Sequence, residues 1–190
     1  IRAEAHPSPI DLATFAPASR RAPGPLRIGR MSRDTPDKHD EEDSAVYQQL
    51  AERGIEVILQ GATSIQSRLS RHPNIKVLPT GAMPAREFLQ HLDILYYRSG
   101  THLETFGRVV FEAMACGIPV VCHRRGGYVE HIQHGANGLL FDTADEALEQ
   151  LGLLIDSEEL RRKLGEGGRQ YAHQLFSEAA MGQRLEFYLR

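Results

Sequence analysis

The 190-residue chain has no tryptophan and only two cysteines. Cys116 and Cys122 flank the triplet Gly-Ile-Pro and make no metal-binding pattern. They read as small buried residues of a reducing compartment, the cytoplasm, with the chain either free there or peripheral at a membrane. No apolar run approaches the roughly 20 residues needed to cross a bilayer, so no transmembrane segment is expected. No charged segment followed by an apolar one marks a secretory signal. Neither sign of charge dominates: 22 basic residues face 25 acidic ones, a net charge of −3. That balance argues against a nucleic-acid partner, which calls for a basic excess. There is no internal repeat and no low-complexity segment. The first residue is Ile1 and not Met, which reads as the start of a fragment.

What is present is the composition of an ordinary globular domain, 41% hydrophobic and 25% charged. A chain of this length buries about 70% of its unfolded surface and folds without disulfide or metal. Residues 1–25 carry Pro7, Pro9, Pro17, Pro23 and Pro25, which exclude a regular helix or central strand there. They are read as an interdomain linker, with one domain over 26–190. Within that domain short apolar runs recur: LRIGRMS, IEVILQG, NIKVLPTG, DILYYRS, the run after CGIP, and NGLLFDT. Between them lie helical stretches: Ser44 to Arg53, a short one ending at Leu69, MPAREFLQHL with Pro84 near its start, the segment beginning near Phe106, and GGYVEHIQHG. Thr143 with Glu146, Ser157, and Ser177 supply the N-terminal signals of three further helices. Strands alternating with helices predict a doubly wound, Rossmann-like parallel α/β sheet with helices on both faces. In such sheets ligands bind at the loops that leave the C-terminal ends of the strands.

The segment ETFGRVVFEAMACGIPVV lies at such an edge. Glu104 sits in the loop, and Glu112 sits about two turns into a helix whose neighbouring residues are otherwise apolar. A helix apolar all round is buried, and a buried carboxylate must be paired or hydrogen-bonded. A ligand diol is one partner that fits. Between the two acids, the amides of Thr105, Phe106, Gly107 and Arg108 open the helix and, with its dipole, form an anion cradle. Gly107 lets a phosphate approach the backbone closely. Carboxylate, amide cradle and second carboxylate match hexose, diphosphate and ribose in that order. Spacing alone leaves a second reading open, in which Glu104 is a surface loop residue and Glu112 pairs with a core lysine or histidine.

The wider segment ETFGRVVFEAMACGIPVVCHRRGGYVEHIQHGANGLLF resembles the C-terminal domain of the GT-B-fold retaining glycosyltransferases of family 4. The resemblance rests on Glu104 and Glu112 in an E-x7-E pattern, then Gly117, Pro119, Gly126, Gly127, Glu130, Ile132, Gly135, Gly138 and Leu139. SPIDLATFAP is similar to the segment that closes that family's N-terminal domain, with Ser8 and Pro9 in place of its Asn-Gly. RIGRMSRDTPDKH is similar to its GR-S---KG loop, with Arg30 and Lys38 eight apart where six is usual and His39 where Gly is common. The resemblance implies that Arg30 and Lys38 bind the donor diphosphate, with Arg33 as a competitor for the place of Arg30. It implies that Glu112 holds the ribose and Glu104 the donor sugar, and that Gly61, Val77 and Leu78 border the base. It further implies a nucleoside diphosphate sugar as donor, an unknown acceptor, no cofactor and no metal, and a missing N-terminal domain without which this half is inactive. The implied function is donor binding in a hexosyltransferase. The alternatives are a stand-alone nucleotide-binding or regulatory module and a GT-B epimerase.

Other polar groups have plainer readings. His131 and His134, three apart, are expected to be structural or exposed and not metal ligands. His102 lines the loop of Glu104. Arg124 and Arg125 read as exposed, and the run Asp40–Asp43 as a solvated helix start.

Overall fold

The computed structural model describes residues 7–18, 24–69 and 71–189. Six strands appear where the apolar runs predicted them: β1 (Arg27–Met31), β2 (Glu56–Gln60), β3 (Ile75–Leu78), β4 (Ile94–Tyr97), β5 (Val120–His123) and β6 (Leu139–Phe141). They form one all-parallel sheet in the order β3-β2-β1-β4-β5-β6. The helices are α1 (Asp43–Glu52), α2 (Ala85–Gln90), α3 (Arg108–Ala115), α4 (Ala144–Asp156), α5 (Glu158–Phe176) and α6 (Glu178–Leu189).

Both faces of the sheet are buried, and β4 shows how. Ile94 and Tyr96 enter one core with Val46 and Leu50 of α1 and Leu151 of α4. Leu95 and Tyr97 enter the other with Phe111 and Met114 of α3 and Phe88 of α2. The period of two along a strand does this sorting, and covering both faces turns the strands into continuous apolar runs. Three helix starts are capped as their residues predicted. Thr143, Ser157 and Ser177 accept from the amides of Glu146, Leu160 and Ala180 at 3.2, 3.1 and 3.3 Å.

Two expectations are revised. Helix α3 begins at Arg108, not Phe106, because Gly107 takes a left-handed conformation (φ 80°) that a helix cannot include. Glu112 is therefore about one turn inside it. GGYVEHIQHG is not an α-helix but a 3-10 turn over Gly127–His131. Gly126, with φ 128°, and the side chain of Asn137, bonded to the amide of Gln133 and the carbonyl of His131, hold the segment as a folded loop. Of the expected linker, residues 1–6 and 19–23 lie outside the described residues. Over 7–18 it has no helix or strand, yet Ile10 and Phe15 are buried in the α3 side of the core. Prolines forbid regular structure but not burial.

Candidate functional site

At the C-terminal edge of the sheet lies an open pocket of about 720 Å³. It draws on loops from both halves of the sheet. The loop after β1 gives Ser32, Arg33 and Lys38. The end of β2 gives Gln60, and the segment after β3 gives Thr80, Gly81 and Met83. The loop after β4 and the start of α3 give Glu104, Thr105, Phe106, Gly107, Arg108 and Glu112, and Ser8 reaches in from the N-terminal segment.

Glu104 is the best-held group. One carboxylate oxygen, Oε2, accepts from Lys38 Nζ at 2.7 Å and from the Tyr97 hydroxyl at 2.8 Å. Burial alone would raise its pKa, but these two donors prevail and hold it below the usual carboxylate value. Glu112, 8% exposed, has Arg108 one helical turn back, 3.3 Å from Oε1. Here burial outweighs the arginine and the pKa is raised. Between the acids the chain is tightly built. A Cβ on Gly107 would come within 2.6 Å of the Tyr128 ring, and one on Gly127 within 1.9 Å of the Thr105 carbonyl oxygen. Gly127 donates to Glu104 O at 2.9 Å, which ties the loop down. Among the described residues, no acceptor takes the amides of Thr105, Phe106, Gly107 or Arg108.

Arg30 lies apart from its expected place. It is 1% exposed and does not line the pocket. Its guanidinium donates to Arg98 O from Nη2 at 2.9 Å, to Ser32 Oγ at 2.7 Å and to the Lys38 carbonyl, with the His39 ring 3.1 Å from Nη1. It therefore shapes the loop that carries Lys38 from beneath. Since Nδ1 of His39 faces an arginine that can only donate, Nδ1 accepts, and Nε2–H donates to Gly61 O at 2.9 Å. Burial and then the Arg30 charge push the His39 pKa down to about 4, so the ring is neutral at ordinary pH. Arg33, the competitor for Arg30's place, does line the pocket.

The residues expected to border the base lie beside the pocket lining. Gly61, Val77 and Leu78 are not in the lining; their neighbours Gln60, Thr80 and Gly81 are. Gln60 clamps the wall by pairing its side-chain amide with both backbone groups of Met83, at 2.9 and 3.0 Å. Tyr97 and Gln60 carry no motif. Their only sequence signal is their place at the C-terminal ends of predicted strands.

The remaining polar groups sort themselves by contact. His131 Nδ1 meets the Tyr171 hydroxyl at 2.8 Å, while His134 Nδ1 accepts from the Leu140 amide at 3.1 Å, so each holds structure separately. Among the described residues no group of three or more His, Cys, Asp or Glu side chains could hold a metal ion. His102 stands 3.5 Å from Asp37, outside the pocket lining. Arg124 pairs with Asp142 at 3.1 Å, and Arg125 donates to Gly100 O at 2.8 Å. The run Asp40–Asp43 is not simply solvated: Asp43 is fully buried and Asp40 lies 3.2 Å from the buried Arg98.

The sheet and its pocket define a Rossmann-like α/β domain with two acids, cations and open amides gathered at the strand ends. The model of the family "Glycosyl transferases group 1" matches residues 62–171, more than half of the chain, and the chain belongs to that family. It is 41% identical over 88 residues to N-acetyl-alpha-D-glucosaminyl L-malate synthase of Bacillus anthracis, covering 45% of this chain and 23% of that protein. Among solved structures, Anabaena Alr3699/HepE in complex with UDP aligns with a TM-score of 0.77 at 23% identity, over 95% of this chain and 55% of that one. The C-terminal domain of the group 1 glycosyl transferase LpcC from Francisella tularensis aligns with a TM-score of 0.67 at 22% identity, over 87% of this chain and 97% of that domain. The fold is thus the Rossmann-like one of GT-B glycosyltransferase structures. The matched stretch is 23% of the Bacillus protein and 55% of the Anabaena one. Among the described residues, no helix is long and apolar enough to cross a membrane.

Proposed function

We propose that this chain is the donor-binding, C-terminal half of a GT-B retaining glycosyltransferase of family 4, acting from the cytoplasm. It would move a hexosyl group from a nucleoside diphosphate sugar to an acceptor hydroxyl held largely by a missing N-terminal domain. The observation that carries the reading is that Glu104 and Glu112 line one pocket, on either side of four unengaged amides, with Lys38 against Glu104. The near-complete overlap with a separately solved C-terminal domain supports the placement of this half.

In this reading the diphosphate lies on the amides of Thr105–Arg108, with Lys38 and Arg33 beside it. Arg30 acts from beneath by holding the Lys38 loop. As the sugar–oxygen bond breaks, negative charge grows on the diphosphate, and preoriented amides and cations stabilise it without a metal. Glu104 faces sugar hydroxyls and the positive charge growing at the anomeric carbon. Glu112 accepts from the ribose hydroxyls, and Gln60, Thr80 and Gly81 border the base. The departing phosphate serves as base for the acceptor hydroxyl on the same face, which retains configuration.

Calorimetric titration with UDP, GDP and ADP, and then with their sugars, tests the reading. Binding of at least one nucleoside diphosphate is expected, with no turnover by this chain alone. No binding of any of them at millimolar concentration would overturn the donor site. Multiple turnovers near a typical ~10 s⁻¹ would overturn the assignment as an inactive half.

A further inference from the structure

Tyr97 is the last residue of β4 and is 2% exposed. Its ring is wedged between the Tyr128 ring, edge-on at 5.6 Å between centroids, and the Arg30 guanidinium, 5.6 Å from its centroid. With the ring fixed, the hydroxyl lies 2.8 Å from Glu104 Oε2. Lys38 Nζ sits on that same oxygen at 2.7 Å. Among the described residues, no donor takes Oε1, so Glu104 is held by one oxygen and free at the other.

The two donors differ in what a ligand does to them. Lysine is a mobile point charge on a four-carbon stem, and a diphosphate beside it carries more negative charge than one carboxylate. A bound diphosphate would therefore compete with Glu104 for Lys38. The tyrosine is neutral and locked, and has no reason to follow. Tyr96, the next residue back, points into the opposite core and gives its hydroxyl to Asp43, so it cannot replace Tyr97.

Building on the donor-site reading, we propose that Tyr97 is a positioning residue. Its hydroxyl keeps Glu104 aimed at the donor sugar after Lys38 has moved to the diphosphate. Burial and the neighbouring carboxylate push the Tyr97 pKa up, so the hydroxyl remains a donor across the working range. In this state Glu104 has exchanged two donors for one, and its ionisation depends on the tyrosine.

The test is Tyr97→Phe, which keeps the ring and its packing, in protein saturated with UDP. The Glu104 carboxyl is followed by 13C NMR through a pH titration, its signal identified by loss in Glu104→Gln. The midpoint is expected to rise by about one unit in Tyr97→Phe, the tenfold effect of removing one hydrogen bond to a charged group. UDP affinity should stay within about twofold of wild type, and UDP-glucose affinity should fall about tenfold, more at pH 5 than at pH 8. In a Glu104→Gln background, Tyr97→Phe should add nothing, since it acts through that carboxylate. An unchanged Glu104 midpoint, or equal losses for UDP and UDP-glucose with no pH dependence, would overturn the role of Tyr97. Failure of the wild type to bind UDP and every other nucleoside diphosphate would instead sink the donor-site reading, and the role of Tyr97 with it.

Discussion

Tyr96 and Tyr97 are neighbours on one strand, and each gives its hydroxyl to a carboxylate, yet the two pairs behave oppositely. Tyr96 reaches Asp43 at 2.6 Å inside the α1 side of the core, where Tyr47 adds a longer bond of 3.3 Å and Arg98 stands 3.8 Å away. Tyr97 reaches Glu104 at 2.8 Å on the rim of the pocket, where Lys38 is in direct contact. Asp43 is raised to about 6, first by burial, with Arg30, Tyr96 and Arg98 pulling the other way. Glu104 is lowered despite burial. The donor chemistry is nearly the same in both places. Depth and the closeness of the cation decide the sign. Arg98 spends its best contact elsewhere, on Glu42 at 2.7 Å. The inner pair is thus built to hold α1 against the sheet, and the outer pair to meet something charged.

The sharpest way to break the comparison is at the inner pair. Asp43→Ala leaves the hydroxyls of Tyr47 and Tyr96 without their acceptor in a dry core and takes away the carboxylate nearest Arg98 Nη1. It should cost about 3–5 kcal/mol in urea unfolding. A cost below about 1 kcal/mol would mean that Asp43 is no keystone. The pH dependence comes next. Asp43 has a folded pKa of about 6, above its ordinary 3.8. Its contribution is fully present below about pH 4 and is lost as pH rises through about 6, a change on the order of 3 kcal/mol. Wild type measured against Asp43→Asn should therefore lose ground between pH 4 and 7. Glu104 has the reverse sign: its lowered pKa gives stability present above the unfolded value near 4.3 and lost as pH falls. Glu104→Gln should flatten that acid limb, as followed by thermal unfolding.

At the pocket the readout is binding rather than stability. Lys38→Ala should weaken UDP by about ten- to a hundredfold and uridine far less. Glu112→Gln should weaken both by a similar factor, because the ribose is common to the two ligands. The smallest effect sharpens the contrast directly. Tyr96→Phe should destabilise by about 1–3 kcal/mol and Tyr97→Phe by less than about 1 kcal/mol, because in the ligand-free protein Lys38 still holds Glu104 when the outer hydroxyl is gone. Equal costs would erase the distinction between inner and outer pairs.

The fold was largely legible in the sequence because each strand is a short apolar run bounded by polar or glycine-rich turns, and the parallel arrangement follows from their alternation with helices. The acids and amides of 104–112 were legible for a related reason: they lie within one local segment, and a glutamate among apolar helical neighbours declares itself. What escaped depends on partners far along the chain. Arg30 looks like a ligand cation until the carbonyls of Lys38 and Arg98 are seen to take its donors. Asp43 looks solvated until Tyr96, 53 residues later, is found over it. Gly107 gave the close approach, but its positive φ, which moves the helix start, has no signature beyond the residue type.

The strand order carries one more consequence. β1, β2 and β3 are close in sequence, as are β4, β5 and β6, and the two triplets pair in the sheet where Ile28 and Gly29 lie beside Ile94 and Leu95. The seam is close: a Cβ on Gly29 would come within 2.4 Å of the Leu92 side chain. Lys38 and Glu104 stand on opposite sides of it. Closing that seam joins residues far apart along the chain, the slow kind of contact in folding. During refolding, then, the nucleotide affinity proposed above should arrive only once this long-range pairing has closed. Ligand capture would clock the meeting of the two triplets, whose paired residues lie 66 apart where those of β1 and β2 lie 29 apart.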